Sequence, residues 1–343
     1  MSFSVRGWLR GQGKYWLLAL IPVLAAGGAL TYALFFDLPP RMRSGPFELT
    51  YEPLVLDSAD PGRTTVGELE FLGGWRLRSP NKSFGGLSAM AALEPDRLMA
   101  VNDKSIAIWL PKPGTRAEAR SKMLPMLDYP NPEGRYALDS ESLVVDTETG
   151  KAWVGFEIFH RICRYSPGFR EMEKCRDWPE MRKWPQVASL ESMALLPDGR
   201  FVVIAEGAPA EREGRVMLIF AGDPVAADTP HPKKMDYIPP VGYDPTEAVA
   251  LGGSKLLVLN RRATLYDGFT AVLTVIDVDK PEAGGVLPGR IVAKLAPPLL
   301  ADNYEGMALE EKDGQRTLWV VSDDNFMFFQ RTLLLQFALP ADL

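Results

Sequence analysis

Histidine and cysteine are scarce, with two of each in 343 residues. His160 and His231 alone cannot supply most Ser-His, Cys-His or zinc-ligand arrangements. The serine elbow G-x-S-x-G is absent, and GGLSAM around Ser88 lacks the second glycine, which argues against an ordinary serine hydrolase. Neither a P-loop nor a dinucleotide fingerprint occurs. Positive charge is also in deficit. The formal net charge is −6, although Arg6, Arg10, Lys14, Arg41 and Arg43 face only Asp37 among the first 43 residues, so the rest of the chain is more acidic still. A surface of that sign does not neutralise phosphates, and no nucleic-acid partner is expected.

Long apolar runs are confined to one place. Tyr15–Phe36, YWLLALIPVLAAGGALTYALFF, is 22 uncharged residues, enough to cross a bilayer as one helix. Arg6, Arg10 and Lys14 before it predict a cytoplasmic 1–14, a linker at 37–46 and an exported 47–343, hence a single-pass inner-membrane protein with its domain in the periplasm. Arg41 and Arg43 weaken that asymmetry. The alternative is a cleaved signal leaving a periplasmic or secreted chain, but the run exceeds a usual h-region and no convincing A-x-A site precedes Asp37.

What the chain does have is a repeat. Phe84–Asp103 (FGGLSAMAALEPDRLMAVND), Ala137–Glu157 (ALDSESLVVDTETGKAWVGFE), Ala188–Glu206 (ASLESMALLPDGRFVVIAE), Tyr243–Arg261 (YDPTEAVALGGSKLLVLNR) and Asp302–Asp324 (DNYEGMALEEKDGQRTLWVVSDD) are five variants of one unit. Each reads as two strands about a short turn, and a period of roughly fifty residues marks a repeat architecture. TETG, PDG, LGGS and EKDGQ between the strands predict antiparallel hairpins.

Further strands are expected at Ser105–Leu110, Arg161–Tyr165, Arg215–Phe220, Ala271–Val278, Lys233–Ile238 and Gly289–Leu295, so four strands per unit predict an all-β propeller. Five units are visible; the N-terminal strands either make a sixth blade or close the last one, with Gly67–Arg78 beside Thr332–Ala338. Trp109, Trp153 and Trp319 fall on strands as blade-packing residues, and 111–120, 178–185 and 221–234 read as surface loops.

Acids recur at fixed places in the hairpins. Glu141, Glu191, Glu247 and Glu305 open first strands, and Asp103, Glu157, Glu206 and Asp323 close second strands. A hairpin brings those two positions to the same end, so radial packing would gather all eight at one mouth of the central channel. Such a ring needs raised pKa values or a bound cation, and a hard ion such as calcium accepts several carboxylate oxygens. The competing reading has the acids capping strand ends by accepting backbone N–H groups.

The ring is not symmetric. The first unit has Gly86 and Ser88 where others have an acid, and the fourth closes on Asn260 followed by Arg261 and Arg262. Lys82, Lys104, Arg161, Arg261 and Arg331 could form an anion-binding side, or be solvated surface cations. Cys163 and Cys175 flank a turn at 166–169 and either bridge or stay as two thiols.

The set FGGLSAM, DSESL with its closing GFE, LESMALLPDGR with its closing AE, and DNYEGMAL followed by VSDDNFMFFQRTLLLQF resembles the bacterial "esterase-like activity of phytase" family over nearly all of the chain after the apolar run. The resemblance implies an extracytoplasmic propeller, distantly related to calcium-dependent propeller phytases and acting on ester or phosphate-ester bonds; it assigns no catalytic residue. The expectation is therefore a membrane-anchored, metal-assisted hydrolase of a small ester or phosphate ester. A non-catalytic propeller that binds an envelope component or a protein partner is the rival.

Overall fold

The computed structural model describes residues 44–125, 139–185, 188–207 and 214–343. The apolar run at 15–36 lies outside them; among the described residues no helix is long and apolar enough to cross a membrane. Among the described residues twenty-four strands form five sheets.

In chain order the strands are β1 (Gly45–Phe47), β2 (Thr50–Leu54), β3 (Thr65–Val66), β4 (Leu69–Arg78), β5 (Leu87–Glu94), β6 (Arg97–Asn102), β7 (Ile106–Pro111) and β8 (Ala119–Met123). Next come β9 (Ser140–Val145), β10 (Ala152–Phe156), β11 (Arg161–Tyr165), β12 (Met172–Asp177), β13 (Ser192–Leu195), β14 (Phe201–Ile204), β15 (Arg215–Phe220) and β16 (Lys233–Ile238). The last are β17 (Asp244–Gly252), β18 (Lys255–Thr264), β19 (Gly268–Asp277), β20 (Val286–Pro288), β21 (Arg290–Leu295), β22 (Tyr304–Lys312), β23 (Gln315–Ser322) and β24 (Leu333–Leu339).

Blade I runs β5-β6-β7-β8 from the axis outward, with β1 on its outer edge; blade II is β9 to β12; blade III is β13 to β16, edged by β20 in parallel. Blade IV is β17, β18, β19 and β21, and blade V is β22, β23, β24, β4 and β2. The innermost strands β5, β9, β13, β17 and β22 each neighbour the next, and β22 returns to β5. β2 and β4 thus complete the fifth blade and, with β1 on blade I, make no sixth: β4 pairs antiparallel with β24, Leu334 opposite Trp75 and Leu335 opposite Gly74.

Strands packed on both faces have no polar face, which explains their continuous apolar runs. On β14, Phe201 and Val203 enter the cluster between blades II and III, while Val202 and Ile204 enter the one between III and IV. On β23, Leu318 and Val320 face blade IV, and Trp319 and Val321 face blade I. Five such clusters, one between each pair of neighbouring blades, close the ring.

One expected surface loop is not a surface. In 178–185, Trp178, Met181 and Trp184 are buried in the cluster between blades II and III, and Trp178 Nε1 donates to Pro224 O at 2.9 Å. Charged Arg176 and Arg182 mask that apolar content in the sequence, and the Arg176 guanidinium covers the Trp178 ring at 3.7 Å. Cys163 and Cys175 lie directly opposite one another on β11 and β12 and are bridged.

Candidate functional site

One local pattern builds the mouth in four blades. Asp103, Glu157, Glu206 and Asp323 each follow a second strand, and their N–H groups donate to Gly86, Asp139, Ser189 and Asn303 O, respectively. Those acceptors lie two residues before Ser88, Glu141, Glu191 and Glu305, so each of these four blades presents the two positions side by side. In blade IV Arg261 lies opposite Asp244, so the register makes Thr246 and Arg261 the corresponding pair and sets Glu247 one residue farther along: a cation stands in the slot where the other four blades carry an acid.

Seven of the eight expected acids, joined by Asp139, form one electrostatic network. Glu141 feels Glu191, Asp139, Asp103 and Glu305; Glu191 feels Glu206, Glu305 and Glu157; Asp323 feels Glu305 and Asp103. Burial is the first cause and mutual repulsion adds to it. Asp103 and Glu157 are pushed up to about 7, and Glu141, Glu191 and Asp323 are held well above the carboxylate range.

The eighth acid, Glu247, is set apart. Its Oε1 accepts the Ala248 N–H at 2.9 Å, and burial holds its pKa high against the backbone N–H groups of Met193 and Met90 from blades III and I. Its Oε2 is buried with no hydrogen-bond partner among the described residues.

Arg261 is the counterion of this ring. Its guanidinium donates to Glu206 Oε1 at 2.7 Å, to Asn303 Oδ1 at 2.9 Å and to Glu305 Oε1, and Asn303 Nδ2 reaches the same Glu305 oxygen at 2.8 Å. Glu206 and Glu305 are therefore ion-paired acids, and Arg261 is not open to an incoming anion.

Three acids stand differently. Asp139, Glu141 and Glu157 each bring one oxygen within 4.8 Å of the others. Two oxygens that share a calcium ion at about 2.4 Å are at most about 4.8 Å apart, so this set fits a hard cation by donor chemistry and by spacing. Glu157 is oriented by its Oε1, which accepts the Ala188 N–H and, at 3.1 Å, the Ser189 N–H. Glu157 thus also caps the next blade as the competing reading expected. Asp139 was not among the expected ligands, although D-S-E gives it the period-two spacing that puts it on the same side as Glu141.

The expected anion-binding cations separate. Lys104 reaches the mouth: its ammonium lies 2.9 Å over the Phe326 ring and has no ion pair among the described residues. Burial lowers its pKa to about 8, against the pull of Asp103, Asp324 and Asp323. Arg331 pairs with Asp302 at 2.7 Å, Arg161 pairs with Asp177 at 2.7 Å towards the outside of blade II, and Lys82 is exposed.

The first repeat departs from the others for a steric reason. A Cβ on Gly85 would meet Asp324 Oδ1 at 2.5 Å, and one on Gly86 would meet the Phe326 ring at 2.3 Å. The Gly86 N–H donates to Asp324 Oδ1 at 2.9 Å, which ties blade I to blade V, and Ser88 Oγ donates to Asp103 Oδ1 at 2.9 Å. One Ser-His contact does form, His160 Nδ1 to Ser189 Oγ at 3.1 Å, but Ser189 is fully buried and its hydroxyl also reaches Glu157 O at 3.3 Å.

A family model described as phytase-like, esterase-like activity of phytase, matches residues 82–326. No curated protein matches the chain in sequence. Among solved structures, luciferin-regenerating enzyme superimposes with a TM-score of 0.45 at 12% identity, covering 83% of this chain and 95% of that one. The major Malassezia sympodialis allergen Mala s 1 gives a TM-score of 0.45 at 14% identity, covering 83% and 92%.

Proposed function

We propose, because this chain belongs to the phytase-like family described as esterase-like activity of phytase, that the acid-lined mouth is a metal-assisted hydrolytic site for ester or phosphate-ester substrates. The observation that carries the reading is the Asp139, Glu141 and Glu157 set, three carboxylates from one blade with oxygens within 4.8 Å of one another. Those three would hold the ion, with calcium the expected one. A bound divalent cation supplies charge neutralisation for the ring and polarises a substrate carbonyl or phosphoryl oxygen.

The protein's own groups have definite parts in this reading. Lys104, with its pKa lowered to about 8, is still mostly protonated at neutral pH and would hold an anionic substrate oxygen at the rim. Asp103, pushed up to about 7, is close to half protonated near neutrality, the condition for a group that gives or takes a proton at a reacting oxygen. Arg261 opposes the rise that burial imposes on the pKa values of Glu206 and Glu305, holds both acids in place, and so shapes the opposite wall. In this reading the propeller stands in the periplasm, held at the inner membrane by residues 15–36; the basic flank and a disulfide that suits an oxidising compartment support it.

A non-catalytic binding propeller is the second reading, favoured by one observation: Arg261 stands within the ring and neutralises two acids, as a purely structural counterion would. Metal analysis of the full-length chain, with assays of aryl ester and aryl phosphate hydrolysis before and after chelation, separates the two. One tightly bound divalent ion and activity lost on chelation are expected. No bound ion, with no hydrolysis in either state, would refute the catalytic reading and leave the binding propeller.

A further inference from the structure

We propose that the mouth face of this propeller docks on a lipid bilayer through apolar loop tips, so that the substrate of the mouth is an amphiphile drawn from the membrane surface. The identity of the mouth as the site and the membrane insertion of residues 15–36 rest on the function proposed above; the exposed loop tips do not.

The first observation is a hairpin that stands clear of the blade. The β18 and β19 ladder continues past Arg261, through Arg262 opposite Thr270, Ala263 opposite Phe269 and Thr264 opposite Gly268. Its tip is Leu265 and Tyr266, fully exposed at 110% and 97%. Leu265 lies four residues beyond Arg261, about 13 Å farther along the strand at roughly 3.3 Å per residue. A second connection, between β23 and β24, presents Phe328 and Phe329, exposed at 85% and 67% and packed edge-on with ring centroids 5.3 Å apart. A third, between β16 and β17, presents Val241, 96% exposed.

All three connections lie at the mouth end, because each follows the end of a second or fourth strand. The turns at the other end of the hairpins read Asp-Thr-Glu-Thr-Gly (146–150), Pro-Asp-Gly (197–199), Gly-Gly-Ser (252–254) and Lys-Asp-Gly (312–314), with no large apolar side chain. Scattered exposed apolar residues are ordinary, but tips that are apolar at one end of a disc and polar at the other give it a face.

The second observation decides the occupant. β8 ends at the mouth, with Met123 opposite Ile106, the first residue of β7. β1 runs antiparallel to β8, with Gly45 opposite Ser121 and Phe47 opposite Ala119, so Gly45 is its mouth-side end. The 22-residue apolar run ending at Phe36 is therefore joined to the mouth side of blade I by residues 37–44 alone. Eight residues span at most about 28 Å fully extended. With the run inserted in a bilayer, so short a tether keeps the mouth-side end of β1 within about 28 Å of that bilayer, and the Leu265, Tyr266, Phe328 and Phe329 tips on the same face within reach of it. Apolar loop tips bind such an interface by burying their side chains among headgroups and acyl chains.

The test uses the full-length chain, whose two cysteines are bridged and leave no free thiol. Tyr266→Cys, Phe328→Cys and, at the opposite end, Glu148→Cys are labelled with a polarity-sensitive fluorophore and reconstituted in phosphatidylcholine vesicles, with and without nitroxide-bearing lipid. Blue-shifted, nitroxide-quenched emission at 266 and 328 but not at 148 is expected. The same emission and quenching at all three sites overturns the proposal, and so does a shift at 266 and 328 that requires an added protein extract, which makes the occupant a protein.

Activity gives a second reading. The double variant Leu265→Ser with Tyr266→Ser should hydrolyse a vesicle-borne ester about tenfold more slowly, the factor that one large apolar side chain left in water is worth. Its rate on a soluble aryl ester should be unchanged. Equal rates of variant and wild type on the vesicle-borne ester overturn the docking, whereas a wild type inactive on both substrates defeats only the hydrolytic reading and leaves the fluorescence result to decide.

Discussion

Replacing Arg261 by Met keeps most of the side-chain stem and removes the cation that the ring holds between Glu206 and Glu305. Both carboxylates are buried, and Arg261 is the main influence opposing the rise that burial imposes on their pKa values. Breaking a buried pair by removing one partner costs about 3–5 kcal/mol, because the surviving charges are left uncompensated. A domain of this size has an unfolding entropy of about 0.6 kcal/mol/K, so the melting temperature should fall by about 5–8 °C at pH 8.

The sign of the pH dependence follows from the direction of the shifts. A carboxyl whose folded pKa is raised binds more protons folded than unfolded, so its contribution is present below the unfolded pKa and is lost as pH rises through the folded one. Without Arg261 both acids rise further, and protonation relieves the variant in acid. The difference from wild type should therefore be small near pH 5 and grow to its full value by pH 8, and calcium should recover part of it by supplying the missing charge. Thermal melts at both pH values, with calcium and with chelator, make the measurement. The same loss at pH 5 and pH 8, insensitive to calcium, would refute the counterion argument and reduce Arg261 to a packing residue.

Further outcomes separate the remaining roles. Asp139→Asn and Glu141→Gln should abolish the calcium-induced rise in melting temperature, while Glu305→Gln, which alters an acid bound to Arg261 and Asn303, should keep most of it; the reverse ranking would move the cation site. Gly306→Ala places a Cβ 2.8 Å from Val321 Cγ1 and 3.1 Å from Met90 N of the neighbouring blade, so it should cost about 1–3 kcal/mol in a denaturant titration, with an unchanged midpoint speaking against that close approach. Cys163→Ser with Cys175→Ser opens a bridge between residues 12 apart and should lower stability by about 2–3 kcal/mol; alkylation of both thiols in unreduced wild type would contradict the bridge itself.

The five hairpins were legible in the chain because their causes are local. Apolar strand runs, glycine-bearing turns and an acid at one or both ends of the unit recur from repeat to repeat, and the repeat count left five or six blades, which the pairing of β4 with β24 settled at five. The convergence of acids from four of the blades followed from that periodicity together with radial packing, while Glu247 of blade IV stands apart from them. Contacts between residues far apart in the chain were decided only when the ring closed. Arg261 reads as a surface cation in LNRRAT, and only the approach of blades III and V surrounds it with Glu206, Glu305 and Asn303. Asp139 becomes a partner of Glu157 only when β9 and β10 pair in their particular register. Trp178 and Trp184, written among charges, are buried because two blades leave a gap at their outer edge that indole rings fill. The physical reason is common to these cases: strand period and turn chemistry act over a few residues, whereas desolvation, which fixes the charge states here, depends on which blade lies opposite.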